Sequence, residues 1–93
     1  MLESDIQKKI IAYLNNLPNC YCFKVIKANK RGVPDICCCL QGKAVFFEVK
    51  RQGAKPTPLQ AFSLHSIADS GGECFVVYSL DEVKAAIDKV AKK

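Results

Sequence analysis

The sequence predicts an α/β fold in which a mixed four-stranded sheet is flanked by helices. Three segments carry helix signals, either apolar residues at helical spacing or capping residues, and four other segments are short apolar or alternating runs. Their order, α-β-β-β-α-β-α, is typical of a sheet with helices packed on it. The 93 residues, 49% of them hydrophobic, suit one small domain spanning residues 1–93 and exclude a disordered chain.

The first half of the chain predicts one helix and one strand. Apolar residues recur at helical spacing over about residues 3–17, and Pro18 ends this amphipathic helix. Residues 20–27 alternate in polarity and favour a β-strand. The glycine and proline within residues 28–34 then indicate a loop.

Two further strands are predicted to form a hairpin. The apolar runs 35–40 and 43–50 are separated by Gln41-Gly42, a two-residue turn signal. In such a hairpin Leu40 pairs with Lys43, and the same register sets Asp35 opposite Glu48, with Cβ atoms about 4.5–5.5 Å apart. Lys50 lies two residues beyond Glu48 and therefore projects from the same face of the sheet.

The remaining segments complete the predicted order. Thr57 and Gln60 form a capping box that opens a helix reaching Ser70, where two glycines end it. Residues 73–78 predict a short buried strand, and a second capping box over residues 79–82 opens the last helix. One face of that helix is apolar, and it comprises Val83, Ala86, Ile87 and Val90.

Charge is concentrated in the middle of the chain. The net charge is +5, yet residues 24–55 contain eight basic and two acidic side chains, a local balance of +6. Such a basic stretch favours a polyanionic partner, of which nucleic acid is the commonest, although a solvated lysine-rich surface fits equally well. The basic residues that flank the acidic pair are the candidate nucleic-acid ligands: Lys24, Lys27, Lys30, Arg31, Arg51 and Lys55.

The six cysteines do not predict a disulfide framework or a zinc site. Three of them are consecutive in an apolar run, which is typical of small hydrophobic residues in a strand. Zinc sites use two close pairs with two to four residues between their members, and the spacings here do not provide them. The acidic N-terminus lacks the features of an export signal, so we expect a cytoplasmic domain, and no apolar run approaches the length of a membrane-spanning helix.

The acidic pair predicts a site for a hard divalent cation. Asp35 and Glu48 at hairpin distance repel each other, and Lys50 compensates only part of their charge. Carboxylate oxygens suit Mg²⁺ or Mn²⁺, which activate water and polarise phosphoryl oxygens. Lys50 is placed to orient such a water or to stabilise charge on a transferring phosphoryl group. The alternative is an ordinary cross-strand charge cluster.

Together these residues resemble a known family. Gly32-Val33-Pro34-Asp35 followed by Glu48-Val49-Lys50 is similar to the PD-(D/E)XK nuclease signature, and more narrowly to the VRR-NUC (virus-type replication-repair nuclease) family. The resemblance implies a restriction-endonuclease-like core, with metal ligands at Asp35, at Glu48 and at the carbonyl of Val49. It implies further site residues at Glu3, which would complete the acidic cluster, and at Gln60, which would support the site.

The resemblance and the residues lead to one main hypothesis and two alternatives. We expect a metal-dependent endonuclease for branched or structured DNA, acting as a homodimeric Holliday-junction resolvase of viral or bacterial origin. A nickase or flap-type nuclease is the alternative within the enzyme class. A catalytically idle DNA-binding module and a structural metal protein built on the cysteines are alternatives from other classes.

Overall fold

Counted over the described residues, three helices and four strands follow one another in the predicted order. The computed structural model describes residues 2–91. The elements are α1 (Glu3–Asn15), β1 (Cys20–Lys24), β2 (Ile36–Leu40), β3 (Lys43–Val49), α2 (Pro58–Asp69), β4 (Glu73–Val77) and α3 (Leu80–Ala91). Over the described residues, none of the helices has the length and apolar character needed to cross a membrane.

The four strands form one mixed sheet in the order β1-β2-β3-β4. The first three are antiparallel neighbours, and β4 runs parallel to β3 after the crossover through α2. Leu40 pairs with Lys43 and Ile36 with Phe47, which confirms the predicted hairpin register. The turn residues Gln41 and Gly42 both have positive φ, 50° and 83°, as a two-residue hairpin turn requires.

The hydrophobic core lies between one face of the sheet and the helices α1 and α3. Its buried side chains alternate along β2 and β3 with residues of the opposite face. The fully buried members are Ile10, Leu14, Ile36, Val45, Phe47, Val49 and Val83. Helix α2 packs on the other face, where Ile67 and Phe46 line a common groove, and none of its side chains is fully buried.

Two strands differ from the prediction. β1 ends at Lys24 rather than at residue 27, although Val25 N–H still donates to the backbone oxygen of Asp35 at 2.8 Å. Beyond that bond Pro34 and the positive φ of Gly32 (79°) take the partner segment out of the sheet. β4 is an edge strand, so it is half-buried except at Val77, rather than buried throughout.

Candidate active site

Two carboxyl groups meet where β2 begins and β3 ends. The confirmed hairpin register, extended by one residue, places Asp35 opposite Glu48. Asp35 is fixed by its own side chain, because its Oδ2 accepts a hydrogen bond from Val49 N–H at 2.9 Å. The two carboxyl groups are close enough that the charge of Asp35 raises the pKa of Glu48. The pair is therefore held by the ends of two adjacent strands.

Glu48 is the more deeply buried carboxyl group of the pair, and only 1% of its surface is exposed. Burial raises its pKa to about 7, and the negative charge of Asp35 adds to that rise. The ammonium group of Lys50 opposes the shift. A carboxyl group that titrates near neutral pH in this way is a recognised mark of a functional site.

Lys50 compensates the buried carboxylate only in part. Its Nζ lies 3.6 Å from Glu48 Oε2, and its backbone N–H continues the β3–β4 ladder by donating to Val77 O at 2.9 Å. The other oxygen, Glu48 Oε1, is buried and has no hydrogen-bond partner. A buried acceptor without a donor calls for a further positive group.

A divalent cation fits this set of donors. Asp35 and Glu48 together offer hard carboxylate oxygens, and Glu48 Oε1 has an unused lone-pair direction. Within residues 2–91, no three His, Cys, Asp or Glu side chains come together as a metal-binding group. Asp35 and Glu48 therefore form a pair of carboxylates. Two carboxylate ligands suit an ion such as Mg²⁺, whose other coordination positions are filled by water or phosphate oxygens.

The other two predicted site residues lie in different surroundings. Glu3, at the start of α1, accepts a hydrogen bond at its Oε2 from Arg51 N–H at 3.2 Å. This contact joins α1 to the residue directly after Lys50, but it does not make Glu3 a third member of the acidic pair. Gln60 completes the predicted capping box, since its Oε1 accepts from Thr57 N–H at 2.9 Å and its N–H donates to Thr57 Oγ1 at 3.2 Å. Their catalytic roles stay predictions.

Basic side chains lie at the end of β1 and in the two loops that flank the acidic pair. All six candidate nucleic-acid ligands are exposed: Lys24, Lys27, Lys30, Arg31, Arg51 and Lys55. The loop that carries Lys30 and Arg31 is fixed against α2 by Gly32, where an added Cβ would lie 2.9 Å from the backbone of Leu59. The conformation of this loop therefore depends on a glycine at that position.

Three features of the site escaped the sequence analysis. The N–H of Val49 holds Asp35, whereas the sequence drew attention only to the Val49 carbonyl. The contact between Glu3 and Arg51 joins residues 48 positions apart. The sequence indicated a glycine in the loop at position 32, but it did not indicate that this glycine lies against Leu59.

Known proteins resemble this chain in sequence and in structure. "Putative nuclease p44" of Acyrthosiphon pisum secondary endosymbiont phage 1 is 31% identical over 80 residues, which cover 85% of each chain. A solved structure described as a VRR_NUC domain superposes with a TM-score of 0.80 at 28% identity, over 92% of this chain and 94% of that one. The chain belongs to the VRR-NUC family.

A second VRR-NUC structure supports the fold alone. It is described as a VRR_NUC domain protein and has a TM-score of 0.78 at 18% identity, over 99% of this chain and 89% of that one. No family model matches the sequence. The predicted α/β fold, with its mixed sheet and flanking helices, is confirmed by these VRR-NUC structures. Family membership and the phage relative together support a nuclease.

Proposed function

We propose that this VRR-NUC protein is a divalent-metal-dependent endonuclease that hydrolyses phosphodiester bonds in structured DNA, in its natural form as a homodimeric Holliday-junction resolvase. The observation that carries the proposal is the buried Glu48, whose Oε1 has no partner, beside Asp35 and Lys50. A binding module would gain nothing from a buried acidic pair next to a phosphate backbone. A site that holds a cation uses both carboxylates.

The proposed ligands of Mg²⁺ or Mn²⁺ are the carboxylates of Asp35 and Glu48 and the carbonyl of Val49, with Glu3 at the margin of the site. When bound, the ion supplies Lewis acidity toward a phosphoryl oxygen and lowers the pKa of a water molecule. The hydrogen bond from Val49 N–H keeps Asp35 oriented for this task.

Lys50 is the proposed partner of the nucleophilic water. Its side chain is only 11% exposed and is tied to Glu48, so its ammonium group is held at a fixed place beside the carboxylates. From there it orients a water molecule and stabilises negative charge that develops on the phosphate. Gln60, at the start of α2, is proposed to support this arrangement through its side-chain amide.

The two basic loops are proposed to bind the phosphate backbone on either side of the scissile bond. Their lysine and arginine side chains are exposed and lie directly before Asp35 and after Lys50 in the chain. Neutralising several phosphates makes such binding strongly dependent on salt but carries no sequence information. The similarity to a phage protein favours a viral or bacterial origin and action inside a cell, where DNA is present.

Cleavage of a labelled four-way DNA junction, compared with linear duplex and single strand, tests the proposal. Reactions contain Mg²⁺, Mn²⁺ or EDTA, and Lys50→Ala is compared with Lys89→Ala, an exposed lysine near the end of α3. We expect paired, metal-dependent nicks near the branch point that Lys50→Ala removes and Lys89→Ala does not.

The other outcomes separate the alternatives. Cleavage of nicked, flapped or linear DNA in preference to the junction would leave a nuclease of the nickase or flap type. Salt-sensitive binding without cleavage in either metal would indicate an idle DNA-binding module and would refute the enzymatic proposal.

A further inference from the structure

Helix α2 carries an exposed aromatic side chain beside a basic loop. Phe62 is 69% exposed, and Leu59, one turn earlier on the same side of the helix, is 46% exposed. A single exposed apolar residue needs no explanation. Phe62, however, lines a groove of about 230 Å³ together with Lys30 and Val33 of the loop that precedes β2. The groove therefore places an aromatic ring and a lysine side by side.

The lining of this groove combines one cation with apolar surface and two hydroxyl groups. The described residues that line it include no acid, and they are Lys30, Val33, Phe62, Ser63, Ser66 and Ile67. Its volume is below the roughly 300–1,000 Å³ of sites for drug-sized molecules, so it suits a smaller planar group. A nucleobase offers a π-face to the ring, and the phosphate next to it offers a charge to the lysine.

The groove lies close to the carboxyl pair. The second half of α2 lies beside Phe46, in the middle of β3, because Ile67 and Phe46 line a common groove. Helix α2 connects two parallel strands and runs opposite to them, so its first half lies nearer the end of β3, where Glu48 is found. Val33 precedes Asp35 by two residues, a span of at most about 7 Å, or two base-pair rises of ~3.4 Å. The groove therefore begins one or two nucleotides from the proposed position of the scissile phosphate.

The loop on one side of the groove is fixed by the helix on the other side. Gly32 approaches Leu59 so closely that an added Cβ would lie 2.9 Å from the Leu59 backbone. Lys30 and Arg31 directly precede this contact, and both side chains are exposed. The backbone that carries Lys30 is thus held against the helix that carries Phe62 before any DNA binds, which reduces the ordering cost of binding.

We propose that Phe62 stacks on an unpaired base of the DNA substrate while Lys30 binds the phosphate next to that base. This inference rests on the proposed function for the identity of the partner. Bases within a duplex stack on one another, so only an unpaired base, as in a flap, a single-stranded arm or an opened branch point, offers a free face to an aromatic side chain. The groove would give the nuclease a preference for unpaired DNA beside the cut, which phosphate contacts alone do not supply.

A protein partner fits the groove less well than DNA does. An apolar contact between proteins would have to desolvate the charge of Lys30, whereas a phosphate pairs with it. The net charge of +5 favours a polyanion in the same way. Because every base has a π-face, stacking on Phe62 should select for unpaired bases without a preference for one kind of base.

DNA binding in EDTA tests the proposal without cleavage. Binding is compared between a duplex with an unpaired arm and a fully paired duplex of the same length. Phe62→Leu keeps an apolar side chain but removes the π-face, whereas Phe62→Trp keeps a π-face. Phe62→Leu should weaken binding of the armed DNA at least about fivefold, change binding of the paired duplex less than about twofold, and leave the salt dependence unaltered. Phe62→Trp should retain the preference of the parent chain for the armed DNA.

Two further variants serve as controls. Tyr21 is a ring of similar exposure, 71%, but it pairs with Cys39, four residues and about 13 Å beyond Asp35 along β2, so Tyr21→Leu should leave the preference for the unpaired arm unchanged. Lys30→Gln should weaken both DNAs alike and reduce the slope of log affinity against log salt by about 0.7–0.9. All four substituted side chains are exposed, so we expect each variant to keep the urea unfolding midpoint of the parent chain.

The remaining outcomes separate this inference from the proposed function. A parent chain without a preference for the arm, or equal effects of Phe62→Leu on the two DNAs, would overturn the inference. A Phe62→Leu variant that binds DNA as the parent does but changes its molar mass in sedimentation would also overturn it, because a second copy would then occupy the groove. Cleavage is measured in parallel with Mg²⁺. A selective loss in a chain that cuts no DNA would refute the proposed function and leave the stacking site standing, whereas cleavage without a selective loss would do the reverse.

Discussion

Raising the pH should destabilise the protein when no metal is bound, and Glu48 should be the cause. Burial, and secondly the charge of Asp35, raise its folded pKa to about 7 from an ordinary value of 4.5. Between these two values the unfolded chain has lost the proton that the folded chain keeps. Stability is therefore complete below the unfolded pKa and is lost as the pH rises through the folded pKa.

The size of the effect follows from the two pKa values. The free energy of unfolding should fall by up to about 1.4 kcal/mol per pH unit within this window, and by about 2.5 kcal/mol in all between pH 5 and pH 8. Small domains have a total stability of about 5–15 kcal/mol, so the change is large enough to measure. Glu48→Gln removes the titrating group while it preserves the shape of the side chain.

Urea unfolding in EDTA at several pH values between 5 and 8 provides the measurement. Because other groups titrate in both proteins, the informative quantity is the difference in unfolding free energy between Glu48→Gln and the parent chain. We expect the variant to gain stability relative to the parent by about 2.5 kcal/mol over this range. Parallel pH profiles for the two proteins would refute the reasoning, because Glu48 would then titrate alike in the folded and unfolded chains.

Adding Mg²⁺ extends the same experiment. A cation that binds the ionised carboxylates stabilises the folded chain by mass action, and this gain should be larger at pH 8 than at pH 6, where Glu48 must first lose its proton. Stabilisation of equal size at both pH values, or of equal size in Glu48→Gln, would contradict a cation site at this carboxyl pair.

Three further outcomes can be checked by substitution. Lys50→Ala should lower the cleavage rate at least about 100-fold but change junction affinity less than about threefold, and an equal loss of affinity would refute its role beside the water. Gly32→Ala should lower the free energy of unfolding, measured in urea, by about 2–4 kcal/mol, whereas Gly42→Ala should lower it by about 1 kcal/mol. Both glycines have positive φ, but only at Gly32 would the added Cβ collide with a neighbouring segment. Thr57→Ala should lower the free energy of unfolding by about 1 kcal/mol, because it removes the N-cap hydroxyl. Gln60→Glu should keep the capping box and the stability of the chain but reduce DNA cleavage. Unchanged cleavage in Gln60→Glu would leave Gln60 with a capping role only.

The central geometry of the site could be predicted because local rules determine it. A two-residue turn at Gln41-Gly42 sets the hairpin register, and the two-residue period of a strand then brings Asp35 and Glu48 to the same face. The capping box at the start of α2 is equally local, since its bonds join residues three positions apart. Both predictions are confirmed without any knowledge of how the helices pack.

Contacts between distant segments could not be predicted in this way. The bond from Arg51 to Glu3 depends on how α1 lies on the sheet, and the approach of Gly32 to Leu59 depends on where α2 lies. No periodic pattern in the sequence specifies where either helix lies relative to these segments. The exposure of Phe62 is a further example, because an apolar residue in a predicted helix gives no sign of whether its own chain covers it.

The position of two acidic residues inside a basic stretch gains a physical meaning from this geometry. The basic loops attract a phosphate backbone, while the ionised carboxylates repel it, and burial disfavours the ionised form of Glu48. A cation on Asp35 and Glu48 removes both conflicts at once, so binding of metal and binding of phosphate should each strengthen the other. The same burial that should destabilise the metal-free chain as the pH rises is therefore expected to make the proposed site depend on its cation. If the proposed function holds, DNA cleavage is then confined to the state in which metal and phosphate are both bound.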